Sequence, residues 1–287
     1  MREDHSLYGL YREGISLLEE KGFPEASQDA WLLFSHVFGI SRATLYASPE
    51  EAAPPDKEKE YRTLLEQRLT HVPVQYLTGE APFWGESYLV SKDTLIPRMD
   101  TEVLVEEALS FARKKGNELD ILDLCTGTGC ILISLLRELP SSRGVGVDIS
   151  PGAVSLAKQN AKRLGVSCEM YEGDLFGAKE LLGRRFDLIV SNPPYIASSK
   201  MQELMEEVRL FEPALALDGG EDGLLFYRRI IAGAKQYLKE GAGLLMEIGC
   251  SQGEAVSALC RQEGYGSVHV VRDLSGLDRV VTCVNEV

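Results

Sequence analysis

The sequence predicts an α/β fold, an open and mostly parallel sheet with helices on both faces, preceded by a small helical domain. Two observations carry this. From Asp120 onward, short apolar runs alternate with amphipathic runs at a spacing that suits crossover connections. Before residue 72, apolar residues recur at helical intervals instead. With 287 residues and 44% hydrophobic content, the chain allows one large domain or two smaller ones and a sizeable core.

Residues 1–72 read as a helical bundle. Leu7, Leu10, Tyr11, Leu17 and Leu18 fall roughly on one face, although Gly9 and Gly14 weaken that helix. Gly22-Phe23-Pro24 breaks it. Ser27 is placed to cap a second helix, in which Ala30, Leu33, Phe34 and Val37 follow the i, i+3, i+4, i+7 pattern. Gly39 ends it, Ser41 suits the cap of a short third helix, and Asp56 opens a charged fourth. Residues 73–94 change character. Pro73, Gly79, Pro82 and Gly85 punctuate strand formers Phe83, Trp84, Tyr88 and Val90, which suggests a linker containing a β-hairpin. Asp100 or Thr101 can cap the helix that follows, and Arg98 and Glu102 are charges at its start, either functional or simply on the surface.

The remainder, 95–287, forms the α/β domain. Strands are expected at 121–124, 143–147, 167–171, 186–190, 242–248, 268–271 and 279–284. Helices are expected at 131–139, from Pro151 to about 164, and at 201–208, 224–238 and 253–263. No internal repeat or low-complexity tract is present.

A net charge of -14 disfavours a protein that grips a nucleic-acid backbone directly. No stretch approaches membrane-span length, and the charged start Met1-Arg2-Glu3-Asp4-His5 does not resemble a signal peptide. Six cysteines are scattered without a CxxC pair or Cys/His metal spacing. Reduced thiols, no metal and a cytoplasmic location are the resulting expectations.

In parallel sheets, ligands bind at the carboxyl ends of strands. Four strand ends here carry polar or glycine-rich residues. Cys125-Thr126-Gly127-Thr128-Gly129 is a turn whose glycines let backbone approach a ligand at a helix N-terminus. The third glycine of a dinucleotide fingerprint is absent, because position 132 is leucine, and no Gly-Lys-Ser/Thr phosphate loop occurs. Asp148 suits the two hydroxyls of a ribose, or a helix cap. Asp174 and Leu175 suit the edge and face of an adenine. Together these features describe an S-adenosylmethionine pocket rather than a polyphosphate site.

The fourth strand end is Ser191-Asn192-Pro193-Pro194-Tyr195. Two prolines lock φ and supply no N–H. Their carbonyls and the Asn192 side-chain oxygen form a fixed acceptor set, and Tyr195 adds a flat face. Such a set suits a planar NH2 group, either a carboxamide or the exocyclic amine of a base.

Beyond these features, the chain resembles the bacterial release factor glutamine methyltransferases. The resemblance runs through Pro73-Val74-Gln75-Tyr76-Leu77-Thr78-Gly79, Leu95-Ile96-Pro97-Arg98, Thr101-Glu102, Leu122-Asp123-Leu124, Thr126-Gly127-Thr128-Gly129, Gly146-Val147-Asp148-Ile149-Ser150, Ser191-Asn192-Pro193-Pro194-Tyr195-Ile196, Phe211-Glu212-Pro213, Ala216-Leu217-Asp218-Gly219-Gly220, Asp222-Gly223-Leu224 and Glu247-Ile248-Gly249. The Asn-Pro-Pro-Tyr block is shared with many amino-group methyltransferases, whereas the blocks at 73–79 and 95–98 are more specific. Cys125 stands where the family often has glycine, and Met99 where proline is common.

The resemblance implies a Rossmann-like class I methyltransferase domain with a mostly parallel seven-stranded sheet. It implies methyl transfer from S-adenosylmethionine, yielding S-adenosylhomocysteine, to the glutamine side-chain nitrogen of the Gly-Gly-Gln motif in class I release factors. The helical domain would bind the release factor. Residues 125–129, Asp148, Asp174, Leu175 and Asn192 would contact the cofactor, and Asn192, Pro193, Pro194 and Tyr195 the glutamine. Asn192, Pro193 and Tyr195 would act in catalysis. A ribosomal-protein glutamine methyltransferase, or an adenine-N6 or cytosine-N4 nucleic-acid methyltransferase, is the alternative.

Overall fold

The computed structural model describes residues 5–116 and 118–286. The charged segment Met1-Arg2-Glu3-Asp4 lies outside the described residues. Five helices come first: α1 (Leu7–Glu20), α2 (Ala26–Phe38), α3 (Arg42–Ala47), α4 (Pro55–Leu69) and α5 (Val74–Thr78). A hairpin of β1 (Glu80–Phe83) and β2 (Glu86–Leu89) follows, then α6 (Glu102–Lys115). Next come β3 (Asp120–Leu124), α7 (Cys130–Glu138), β4 (Arg143–Asp148), α8 (Pro151–Arg163), β5 (Glu169–Glu172) and β6 (Phe186–Ser191). The chain closes with α9 (Glu206–Phe211), α10 (Leu225–Ala234), β7 (Leu238–Glu247), α11 (Gly253–Gln262), β8 (Gly266–Arg272) and β9 (Asp278–Val284). Two compact units result. One holds the chain up to Glu80 together with α9; the other holds Ala81–Met205 and the chain from Glu212 onward.

In the helical unit, α1 runs unbroken through Gly9 and Gly14. Ser6 caps it, accepting from the Gly9 N–H at 3.0 Å. Gly14 has a packing role that its own helix does not reveal. A Cβ there would sit 2.1 Å from the Tyr61 hydroxyl, and Tyr61 is fully buried on α4. Ser41 caps α3 as expected, accepting from the Thr44 N–H at 3.1 Å. Ser27 does not cap α2, which begins one residue earlier at Ala26. Its hydroxyl lies 3.4 Å from that of Tyr11 instead. Arg68 is buried, pairing with Asp29 at 2.7 Å and with Glu207 of α9 at 2.8 Å, and it lies over the Phe23 ring. The expected helix at 201–208 is instead a 3-10 segment, Ser198–Glu203, followed by α9. Leu204 is extended between them, which ends the first helix before the second begins.

In the sheet unit, the strand order is β5-β4-β3-β6-β7-β9-β8. The first five run parallel; β9 is antiparallel to both its neighbours, β7 and β8, so β8 runs in the same direction as the first five. Alternate residues face opposite layers, as a pleat requires. Ile121, Leu188, Val190 and Leu245 pack with α6 and α7, while Leu122, Leu124, Ile189 and Leu244 pack with α10 and α11. Residues 73–94 do not form a simple linker: α5 belongs to the helical unit, and the hairpin's Phe83 and Tyr88 are buried in the core of the sheet unit. The hairpin turns on Trp84 and Gly85, both with positive φ, the geometry of a tight two-residue turn. Glu102 holds that turn by accepting from the Trp84 N–H at 2.7 Å.

Gly14→Ala separates local propensity from packing. In an exposed helix interior the change stabilises by about 0.5–1 kcal/mol. Here it drives a methyl into a buried ring, so we expect destabilisation of about 1–3 kcal/mol. Urea denaturation of the variant checks the sign.

Candidate functional site

The register of the parallel strands fixes the site. Leu124 pairs with Val147 on one side and with Ser191 on the other, and Ser191 pairs with Met246. The strands therefore end level. The chain leaves β3 toward β4 and β5, then returns to the other side of β3 as β6, so a crevice opens above β3. A cavity of about 360 Å³ occupies this edge. It is lined by the β3 turn, Asp148 and its neighbours, residues 173–175, Asn192, Pro194, and a wall from residues 92–101.

Of the sequence-predicted residues, Cys125, Thr126, Gly127, Thr128, Asp148, Asp174, Leu175, Asn192 and Pro194 line the cavity; Gly129, Pro193 and Tyr195 do not. The two turn glycines do different work. Both have positive φ, but a Cβ on Gly127 would meet open space, whereas one on Gly129 would press on Ile133, Ala157 and Met170 at 3.0–3.3 Å. Gly127 bares backbone to the cavity, and Gly129 lets the helix pack on the sheet. Cys125, at φ 59°, also sits in the left-handed region, which favours glycine. Leu175 does the same at φ 54° while almost fully buried. Each such residue stores roughly 1–3 kcal/mol of strain, and such strain gathers at functional sites.

Asp148 accepts from the Gly127 N–H at 2.8 Å and from the Ser150 N–H at 2.9 Å. Burial raises its pKa, and these backbone N–H groups oppose the rise. A carboxylate offers about four lone-pair sites, so both oxygens keep acceptor capacity toward the cavity. It does not cap α8, a task taken by Ser150, which accepts from the Ala153 N–H at 3.2 Å. The Asp174 carboxylate is held by Arg229 at 2.8 Å.

Beneath the turn, the fully buried Asp123 accepts from the Thr126 hydroxyl at 2.5 Å, and burial pushes its pKa up to about 7. Asn160 of α8 is fully buried and completes the support. Its side chain accepts from the Leu89 N–H at 2.7 Å, and donates to the Leu89 carbonyl at 3.0 Å and the Thr128 carbonyl at 2.9 Å.

At the other end, Asn192 donates through Nδ2 to the Thr101 hydroxyl at 3.3 Å. Thr101 therefore does not cap α6. A 3-10 turn, Met99–Thr101, leads into the helix, and no side chain caps it. The Asn-Pro-Pro-Tyr loop is clamped from behind. The Tyr195 carbonyl accepts from Gln252 Nε2 at 3.0 Å, and Ile196 exchanges backbone hydrogen bonds with Leu217 and Gly219 at 2.9 and 2.8 Å. The Tyr195 ring packs with the core beside Gly249. Arg98 lines the cavity and pairs with the buried Glu212, which also accepts from the Ile96 N–H at 3.2 Å.

Thr101, Asp123, Asn160, Glu212 and Gln252 were not singled out as functional from spacing. Several fall inside the resemblance blocks, which was their one signal. Among the described residues, no helix is long and apolar enough to cross a membrane.

Comparison with known proteins agrees with this geometry. Residues 9–79 match the family model described as PrmC N-terminal domain, and residues 115–276 match one described as Methyltransferase domain. A release factor glutamine methyltransferase from Geobacter sulfurreducens is 42% identical, the match covering 92% of this chain and 91% of the relative. One from Cereibacter sphaeroides is also 42% identical, covering 94% and 95%. Among solved structures, a methyltransferase from Pyrococcus furiosus superposes with a TM-score of 0.50 at 13% identity, covering 70% of this chain and 89% of that one, a likeness of fold alone. Similarity at this level over nearly the full length of both chains makes this protein a member of the release factor glutamine methyltransferase family.

Proposed function

We propose that this enzyme transfers the methyl group of S-adenosylmethionine to the side-chain amide nitrogen (N5) of the glutamine in the Gly-Gly-Gln motif of class I release factors. One observation carries the reading. A single cavity joins the Asp148–Gly127 end to the Asn192 end, on a chain that matches relatives of that name across more than nine-tenths of their length.

The residues present suit the cofactor. Gly127 opposes no side chain to it, Asp148 has lone pairs to spare for ribose hydroxyls, and Leu175 and Ile149 offer apolar walls for a base. Bound there, S-adenosylmethionine supplies an electrophilic sulfonium methyl.

The chain's own task is to present a poor nucleophile. An amide nitrogen's lone pair is delocalised into its carbonyl. Asn192 Oδ1 and the Pro193 carbonyl would each accept one N–H of the substrate amide, with Pro194 confining its plane; Tyr195, expected to do so too, has its ring packed on the core and instead anchors the loop. This orients the nitrogen and stabilises the positive charge that develops on it. Near-attack placement of two reactants contributes roughly 7–11 kcal/mol. The nitrogen pair forms the N–C bond, the S–C pair leaves with sulfur as S-adenosylhomocysteine, and the extra amide proton passes to water. No metal enters this scheme, and it operates in the cytoplasm, where release factors work. The helical unit, the chain up to Glu80 with α9, is assigned the release factor, and the α/β unit the chemistry.

The deciding experiment offers labelled S-adenosylmethionine with a release factor, ribosomes or DNA in turn. Label is expected in the release factor, and none when its Gly-Gly-Gln glutamine is replaced by alanine. Label in DNA or a ribosomal protein alone would overturn the reading. Asn192→Ala is expected to lower kcat by about 10²–10³ or more, while S-adenosylhomocysteine affinity, measured by calorimetry, stays within a few-fold. Asp148→Ala should do the converse, weakening that affinity by about 1.5–3 kcal/mol through loss of charge-assisted hydrogen bonds.

A further inference from the structure

We propose that Glu247 is a positioning residue that fixes which way the Asn192 carboxamide faces. The inference rests on the functional reading above and adds a residue to it. Ser191 is level with Met246 across the β6–β7 ladder, so the next residues, Asn192 and Glu247, are level too. Glu247 is 1% exposed, and its Oε2 has no hydrogen-bond partner among the described residues. Its carboxyl group faces the side chains of Thr101 and Asn192, which favour its charged form and are themselves hydrogen-bonded to each other.

Hydrogen-bond polarity then does the rest. A threonine hydroxyl has one proton to give. An ionised Glu247 can only accept, so the Thr101 proton points at it and the hydroxyl lone pairs face Asn192. Asn192 must turn its NH2 side inward, toward Thr101 and the carboxylate. Its Oδ1 is left for the cavity, where an incoming NH2 group needs an acceptor. A protonated Glu247 removes this rule. It can donate to Thr101, whose proton is then free to bind Oδ1, and the amide can reverse. The cavity would then face a donor with a donor.

The surroundings set when this happens. Desolvation pushes the Glu247 pKa up to about 7, countered by Thr101, Arg279 and Asn192. Asp100, on the turn before α6, adds to the rise. Tyr195, Tyr227 on α10 and Cys130 on α7 also face the group, and burial holds all three above their ordinary values, so they stay neutral near pH 7. Arg279 is itself paired with Asp100 at 3.1 Å and Asp273 at 3.0 Å. Neither the substrate amide nor a sulfonium titrates in this range; Asp123, beneath the cofactor turn, does, and the S-adenosylhomocysteine affinity followed over the same pH range separates its titration from that of Glu247.

The test measures kcat and KM for release factor methylation between pH 5.5 and 8.5, with S-adenosylhomocysteine affinity and a thermal melt on each protein. For the wild type, kcat should fall about fivefold between pH 7 and pH 6, in proportion to the ionised fraction. Glu247→Gln should abolish that limb and lower kcat at pH 8, leaving KM and cofactor affinity within about threefold. Thr101→Val should lower kcat similarly, and Thr101→Ser should restore it. An acid limb that survives in Glu247→Gln would overturn the proposal, as would wild-type kcat in both Glu247→Gln and Thr101→Val. A folded wild type that labels no release factor at any pH would instead overturn the functional reading, and this inference with it.

Discussion

Leu124, Ser191 and Met246 lie side by side in one parallel ladder. Everything at the site depends on that register. Cys125 and Asn192 are the first residues to leave β3 and β6, and Glu247 is the last of β7, still paired with Val280, so the three follow one another along the carboxyl edge of the sheet. Parallel strands are buried on both faces and their register is set by the hydrophobic layers around them. A slip of one residue would put Ser191, whose hydroxyl now bonds the Leu124 carbonyl at 2.8 Å, where Asn192 stands. The apolar cores on the two faces therefore hold the chemistry in place as well as stabilising the fold.

Around that row the protein buries many polar groups, and most are satisfied; Asp123 Oδ1 and Glu247 Oε2 are exceptions. Asn160 meets the hairpin and the cofactor turn with one carboxamide. Asp123, Glu212 and Asp148 each hold backbone N–H or hydroxyl groups of the cavity wall. Networks of this kind are costly when incomplete and rigid when complete. Rigidity suits a reaction in which the enzyme contributes placement rather than a strong base.

The alternating strands and helices, the glycine turn, Asp148 and the acceptor loop were legible because each is a local signal. A strand end followed by Gly-x-Gly or Asn-Pro-Pro-Tyr carries its meaning within a few residues. What was not legible joins distant positions. Thr101, Asn192 and Glu247 are separated by tens of residues and meet only in the folded sheet. Gly14 looked like a flaw in a helix until Tyr61 arrived from α4. Ser27 was a plausible cap by type, but Ala26 already continues the helix, and the hydroxyl found Tyr11. Gly127 and Gly129 read alike in sequence, and only the neighbours of a hypothetical Cβ separate a ligand-facing glycine from a packing one.

Gln252 shows a different constraint on such a site. An enzyme built to recognise a glutamine side chain carries one directly behind its own acceptor loop. Both N–H bonds of Gln252 are already given away, one to the Tyr195 carbonyl and one to that of Gly223, while its oxygen accepts from the Gly249 N–H. With no proton left to offer, this carboxamide is chemically silent toward Asn192. The bonds that brace the loop thus also keep the protein from competing with its own substrate.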